Sequence, residues 1–197
     1  MKKLVVATKN RGKLIEIAEL LHDDDIKLFS LLDFPKMPDI VEDGQSFEDN
    51  AIRKAKAAFE WTGLPAIADD SGLEVDALNG APGVHSARYA GESATDEERI
   101  DKLLAAMVDL PLEERTARFR CVLAFVDPSG RVHLTEGTCE GVITFECRGS
   151  GGFGYDPIFM VREYGKTFAE LGSDIKNRIS HRAVAFSKMR EILQKYL

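Results

Sequence analysis

The chain has 197 residues, 44% apolar and 30% charged, with 16 Gly and 7 Pro; this is ordinary globular composition and excludes a fibre or a disordered protein. Its 26 basic and 33 acidic residues leave a formal charge of −7, which argues against sequence-independent nucleic-acid binding, where Lys and Arg must neutralise phosphates. The three cysteines, Cys121, Cys139 and Cys147, are odd in number and contain no C-x-x-C pair, so neither a zinc cluster nor a disulfide framework is indicated and reduced thiols are expected.

Met1-Lys2-Lys3 has the basic character of a signal-peptide start, but the apolar run Leu4 to Ala7 is far too short for a signal core or a membrane span, so a cytoplasmic protein with no membrane partner is expected. Lys3-Leu4-Val5-Val6-Ala7 predicts a strand, Thr8-Lys9-Asn10-Arg11-Gly12-Lys13 a loop, and apolar residues at 14, 15, 17, 18, 20 and 21 a helix. Such a loop presents backbone N–H groups and the positive end of a helix, to which Lys9, Arg11 and Lys13 add charge; it suits an anion such as phosphate. The spacing is not that of a Walker A loop, and a solvated basic loop capping a helix is the alternative.

Ile26 to Leu31 reads as a second strand, followed by an irregular acidic stretch from Asp33 to Gln45 that carries Glu42. Ser46-x-x-Asp49 opens a helix with Phe47, Ala51, Ala55, Ala58 and Phe59 as its buried face. Lys54 and Lys56 ride on this helix, where lysines usually form a solvated face.

Pro65 to Ala68 is an apolar strand that runs into Asp69-Asp70-Ser71-Gly72. Successive strand residues point to opposite faces, so two adjacent acids can serve one site only if the strand ends there, and Ser71-Gly72 is expected to supply the turn. The pair then suits either a hard cation, which takes carboxylate oxygen, or an ordinary Asx turn. Leu73 to Asp76 follows as a strand, and Asn79 to Gly91 as a Gly- and Pro-rich loop that is a candidate binding or lid segment. There His85 and Arg88 either touch a ligand or satisfy the loop or a partner subunit. Thr95-x-x-Glu98 caps a helix running to about Asp109.

Three strands follow, Thr116–Val126, Val132–Thr138 and Val142–Cys147, with a turn at Asp127-Pro128-Ser129-Gly130. This predicts a β-meander lobe over about 116–175 beside an α/β lobe of about 1–115 with 176–197. Gly149-Ser150-Gly151-Gly152-Phe153-Gly154-Tyr155-Asp156-Pro157 is a glycine-rich loop around aromatics. Its glycines let the backbone approach a planar ligand while Phe153 or Tyr155 stacks on it, unless the aromatics simply cover the core. Lys176-Asn177-Arg178-Ile179-Ser180-His181-Arg182 precedes a last helix whose apolar face includes Ala183, Val184, Phe186, Met189, Ile192 and Leu193. His181 and Arg182 offer donors for a carbonyl such as O6 of a purine, or contact acidic surface.

The ordered motifs Ala7 to Lys13, Ser46-Phe47-x-x-Asn50-Ala51, Ala68 to Leu73, Gly80-Ala81-Pro82-Gly83-Val84, Gly152 to Pro157 and Ser180-His181-Arg182 make the chain resemble the inosine triphosphate pyrophosphatase family, the non-standard purine NTP (dITP/XTP) pyrophosphatases. The resemblance runs from about Lys3 to the last helix. It implies one α/β domain, an elongated mixed sheet spanning two lobes with helices on its flanks and the active cleft between them. It also implies a cytoplasmic, Mg²⁺-dependent homodimer that cleaves ITP, dITP and XTP to the monophosphate and pyrophosphate. By the same resemblance Thr8 to Lys13, with Lys54, hold the triphosphate. Glu42 and Asp70 hold the metal, Asp70 is the proton acceptor, and Ser71 touches substrate. Phe153, Gly154, Tyr155, Asp156 and Lys176 line the nucleotide site, and His181 and Arg182 read the base. A pyrophosphatase on other modified nucleotides, and a non-catalytic nucleotide-binding module, are the alternatives.

Overall fold

The expected first strand forms as β1 (Lys2–Val6) and leads into α1 (Arg11–Leu20). The computed structural model describes residues 2–21, 25–38 and 40–197; Met1 of the basic start and Asp39 of the acidic stretch lie outside them. β2 (Ile26–Ser30) pairs with β1 in parallel, in register from Lys2 opposite Ile26 to Val6 opposite Ser30. The Ser46 cap works as its sequence suggests: its hydroxyl accepts from Asp49 N at 3.1 Å and starts α2 (Phe47–Thr62), which ends at Gly63 with φ +67°, a left-handed conformation suited to glycine.

β3 (Ala66–Val75) returns parallel to β1, with Val5 opposite Ala66 and Val6 opposite Ile67. Thr95 and Glu98 form the expected capping box at the start of α3 (Asp96–Ala106). β4 (Thr116–Val126) has the predicted bounds, and after the turn the chain forms β5 (Val132–Ile143), β6 (Phe159–Val161) and β7 (Lys166–Thr167). α4 (Phe168–Leu171), α5 (Ser173–Ile179) and α6 (His181–Tyr196) complete the chain. The strands make one sheet of seven in the order β2-β1-β3-β4-β5-β6-β7, parallel between β1 and its neighbours and antiparallel along β5-β6-β7. The expected mixed α/β class is borne out.

Two expectations are corrected. β3 does not stop at Ser71-Gly72 but runs through both to Val75. The strands expected at 132–138 and 142–147 are one strand that ends at Ile143. Gly141 lies within it because a side chain there would collide with the Phe159 ring and the Met160 carbonyl of β6.

The chain divides into two compact units, one of Met1–Asp70, Cys121–Gly137 and Arg182–Leu197, the other of Ser71–Arg120 and Thr138–His181. These are not the segments expected from sequence, because β3, β4 and β5 are long and each contributes to both units. The first unit has a core that includes Leu4, Ile17, Ile67, Phe125, Phe186 and Met189. The core of the second includes Leu73, Leu103, Met107, Phe119, Phe159 and Phe168. The three cysteines are free thiols, and among the described residues no helix is long and apolar enough to cross a membrane.

Candidate active site

Because β3 continues through the acid pair, its pleat sends Asp69 and Asp70 to opposite faces. Each carboxylate is buried, and each meets its own set of partners.

Asp70 faces α2. Its Oδ1 accepts from Lys54 Nζ at 2.8 Å and its Oδ2 from Asn50 Nδ2 at 3.2 Å. Lys54 Nζ also donates to Glu42 Oε2 at 3.0 Å and to the Asp69 carbonyl at 2.8 Å. Lys54 is thus buried at 6% exposure, not on a solvated face, whereas Lys56 is exposed. Burial opposes its charge, yet Asp70 and Glu42 raise its pKa above the ordinary lysine value. Asp70 moves up as well, through burial first and with Glu42 adding to it, while Lys54 and Lys13 pull the other way. Asn50 ties the acidic stretch to this group: its Oδ1 accepts from Gly44 N at 2.8 Å while its amide reaches Asp70.

Asp69 faces α1 and α6. It forms an ion pair with Lys13, accepts from Arg182 Nε at 3.0 Å and lies 3.0 Å from the Cys121 thiol. Arg182 is 2% exposed and also pairs with Glu16. Burial works against the charge on Asp69, but the Arg182 guanidinium and the Lys13 ammonium hold its carboxyl well below the usual range. The Cys121 thiol is pushed up by burial and by Asp69, which keeps it a neutral donor.

The basic segment is a loop only to Asn10, since α1 begins at Arg11 and places Arg11, Gly12 and Lys13 in its first turn. Asn10 Oδ1 caps the helix by accepting from Lys13 N at 3.0 Å, and Asn10 N donates to Thr8 Oγ1 at 3.1 Å. The first turn contains no acid, and Lys9, Asn10 and Arg11 are exposed. Cations where the helix dipole is already positive favour an anion from solution.

The other candidate residues lie in the second unit, which the chain enters at Ser71 and leaves after His181. Of the two loop aromatics, Tyr155 belongs to the core and its hydroxyl donates to the Ser86 carbonyl at 3.0 Å, whereas Phe153 is half-buried. Lys176 is buried in an ion pair with Asp156, its Nζ 4.9 Å from the centre of the Phe153 ring. Asp156 Oδ2 accepts from Phe153 N at 3.0 Å, and Gly154 N donates to Asp96 Oδ2 at 2.7 Å. His181 is buried and stacks on Phe119 with ring centres 4.8 Å apart and planes 15° off parallel. In the long loop, His85 is exposed and Ser86 is buried, its hydroxyl accepting from Leu73 N at 2.9 Å.

The family model of the Ham1 family matches residues 4–192. The chain belongs to the Ham1 family. It is 56% identical over 193 residues to a dITP/XTP pyrophosphatase of Desulforamulus reducens, covering 98% of this chain and 96% of that protein. It is 53% identical over 193 residues to a dITP/XTP pyrophosphatase of Geobacter sulfurreducens, covering 98% and 97%. A solved HAM1 protein from Coxiella burnetii superposes with a TM-score of 0.89 at 47% identity, covering 99% of this chain and 100% of that one.

In this Ham1-family chain the donor set around Asp70 fits a small divalent cation. Mg²⁺ takes one or two carboxylates and completes its shell with water and substrate phosphate, and Glu42 and Asp70 are carboxylates gathered at one ammonium. Lys54 cancels one of their two charges, which leaves one net negative charge at the pair.

Asn50 beside Asp70, Glu16 beside Arg182 and Asp96 beside Gly154 were not singled out from sequence. Asn50 had a signal: it is a polar residue on the apolar helical face of Phe47, Ala51, Ala55 and Ala58. Gly152, at φ +75°, is required by the base loop, since a Cβ there would collide with Asp156 Oδ2. Gly152→Ala is therefore expected to displace Asp156 from Phe153 N and Lys176 and to raise KM for nucleotide by about 10-fold or more, in line with the loss of a supporting contact; steady-state kinetics checks it.

Proposed function

We propose that the chain hydrolyses dITP, XTP and ITP to the nucleoside monophosphate and pyrophosphate, clearing non-standard purines from the nucleotide pool. The observation that carries the reading is the buried Lys54 ammonium bridging Glu42 and Asp70 beside a first-turn cluster of cations. Full-length likeness to proteins named dITP/XTP pyrophosphatase supports the choice of substrate.

Glu42 and Asp70 would hold a magnesium ion, which when bound supplies charge shielding and polarisation at the scissile phosphate. Thr8, Lys9, Asn10, Arg11, Gly12 and Lys13 receive the triphosphate at the start of α1, where backbone N–H groups, the dipole and the cations Lys9, Arg11 and Lys13 act together. Lys54 orients Asp70 and stabilises charge building on the departing pyrophosphate. Asp70 takes the proton of the attacking water, for which burial gives it more basicity than an exposed carboxylate. Ser71 contacts substrate from the next residue of β3. Phe153 stacks on the base, Gly154, Tyr155 and Asp156 shape the loop around it, and Lys176 fixes that loop through Asp156. His181 and Arg182 present donors to O6, which adenine would leave unpaired because it carries an amino group there. The working form is a homodimer in the cytoplasm, with neither nucleic acid nor membrane as partner.

The test is a panel of ITP, dITP, XTP, GTP, ATP and pyrimidine triphosphates with Mg²⁺, scored for pyrophosphate against orthophosphate. Pyrophosphate and monophosphate in equal amounts from the first three are expected, with ATP disfavoured by about 10⁴-fold, the discrimination typical of a site that leaves its polar groups unpaired by the wrong substrate. Orthophosphate alone, or preference for pyrimidines, overturns the reading. EDTA is expected to abolish turnover.

A further inference from the structure

We propose that Asp69 is a positioning residue for nucleotide binding: from the face of β3 opposite Asp70 it fixes the Lys13 ammonium and, with Glu16, the Arg182 guanidinium, and it takes no part in holding the cation. The proposal rests on Lys13 and Arg182 being nucleotide contacts.

Lys13 and Arg182 each sit in the first turn of their helix, α1 and α6 respectively. A cation there works against the helix dipole. The structure answers with two acids: Asp69 touches both cations, and Glu16 touches Arg182. The four side chains form a charge-balanced row, Lys13–Asp69–Arg182–Glu16, with 0% exposure at Asp69, 2% at Arg182, 12% at Glu16 and 16% at Lys13. The Cys121 thiol of β4 lies 3.0 Å from the same Asp69 Oδ2. A single carboxylate thus links the start of α1, the start of α6 and two strands.

Stability alone is a weak reason for such a group, because buried ion pairs are often no better than apolar packing of the same volume. What a buried row of alternating charges does supply is direction: a guanidinium held by two carboxylates keeps one orientation, and a lysine drawn to the sheet cannot sweep through solvent. The pleat of β3 meanwhile aims Asp69 away from the Glu42–Lys54–Asp70 group, so it cannot join those carboxylates around one ion.

The two roles differ in sign. Deleting a negative charge beside an anion site tightens anion binding if the acid is only a nearby charge, and weakens it if the acid aims the cations that bind. The experiment measures binding of the α,β-methylene analogue of ITP in EDTA by calorimetry for the wild type, Asp69→Asn, Glu16→Gln, Lys13→Ala and Arg182→Ala. Steady-state kinetics and the Mg²⁺ half-saturation of the same proteins are measured alongside. Asp69→Asn is expected to weaken metal-free binding by about 10–100-fold, the range for removing a supporting contact. KM should rise in parallel, with kcat and Mg²⁺ half-saturation nearly unchanged. Glu16→Gln reproduces the effect at smaller size and serves if Asp69→Asn fails to fold by circular dichroism.

Unchanged or tighter binding by Asp69→Asn, or by a folded Glu16→Gln if Asp69→Asn does not fold, overturns the proposal. So does a shift in Mg²⁺ half-saturation without a change in metal-free affinity. Wild-type affinity in both Lys13→Ala and Arg182→Ala would instead remove the nucleotide assignment on which the proposal stands.

Discussion

Asp70→Asn is expected to slow pyrophosphate release by about 10³-fold or more while leaving the fold intact. The rate estimate follows from the contribution of a positioned general base, about 10²–10⁴-fold, to which loss of a cation-holding charge adds. The amide oxygen can still accept from Lys54 Nζ, 2.8 Å from Asp70 Oδ1, while the amide nitrogen meets the Asn50 donor and forfeits that single contact. The sign of the stability effect follows from linkage. The folded-state pKa of Asp70 is raised above the ordinary aspartate value, by burial first, so above that value the ionised form is disfavoured by folding and the neutral amide removes the burden. Because the amide also removes one carboxylate partner of the buried Lys54 ammonium, the two effects oppose each other, and a melting temperature close to that of the wild type is expected at neutral pH, together with the loss of turnover. Retention of a tenth of the rate would move the proton acceptor to another residue.

Lys54→Met is expected to produce the largest loss of stability. It leaves Glu42 and Asp70 facing each other with no ammonium between them, and leaves the Asp69 carbonyl without its 2.8 Å donor. Breaking a buried ion pair by removing one partner costs about 3–5 kcal/mol. Glu42 is 43% exposed on its side chain, so its share is screened and the lower end applies. For a chain of this length about 3 kcal/mol corresponds to roughly 6–12 °C in Tm. Millimolar Mg²⁺ is expected to restore part of that loss, because a dication can replace the missing ammonium between the carboxylates. Thermal denaturation with and without Mg²⁺ measures this. A Mg²⁺ shift no larger than that of the wild type would exclude Glu42 and Asp70 as the cation pair.

Both variants turn on the continuity of β3, where sequence reading went astray. Ser71-Gly72 has turn composition, and adjacent acids invite a shared site. In the structure the strand goes on to Val75, with β1 and β4 as its neighbours in the sheet. The acids are then separated by the pleat, with Lys54 on one side and Lys13 and Arg182 on the other. The solvated face expected of Lys54 from its helix fails for a related reason: a lysine on an amphipathic helix is solvated unless something buried needs its charge, and Asp70 stands 16 positions further along the chain.

The sequence by itself determined the class of the fold, the helix starts at Ser46 and Thr95, the bounds of β4 and membership in the Ham1 family. These depend on side-chain period, on caps within three residues and on ordered motifs, all of them local. Tertiary structure alone decided which charges meet. Asp69 takes its cations from 56 positions before it and 113 after it, and Tyr155 is drawn into the core by a carbonyl 69 positions earlier. Such pairings are set by which strands and helices come side by side, and no spacing in the chain encodes them.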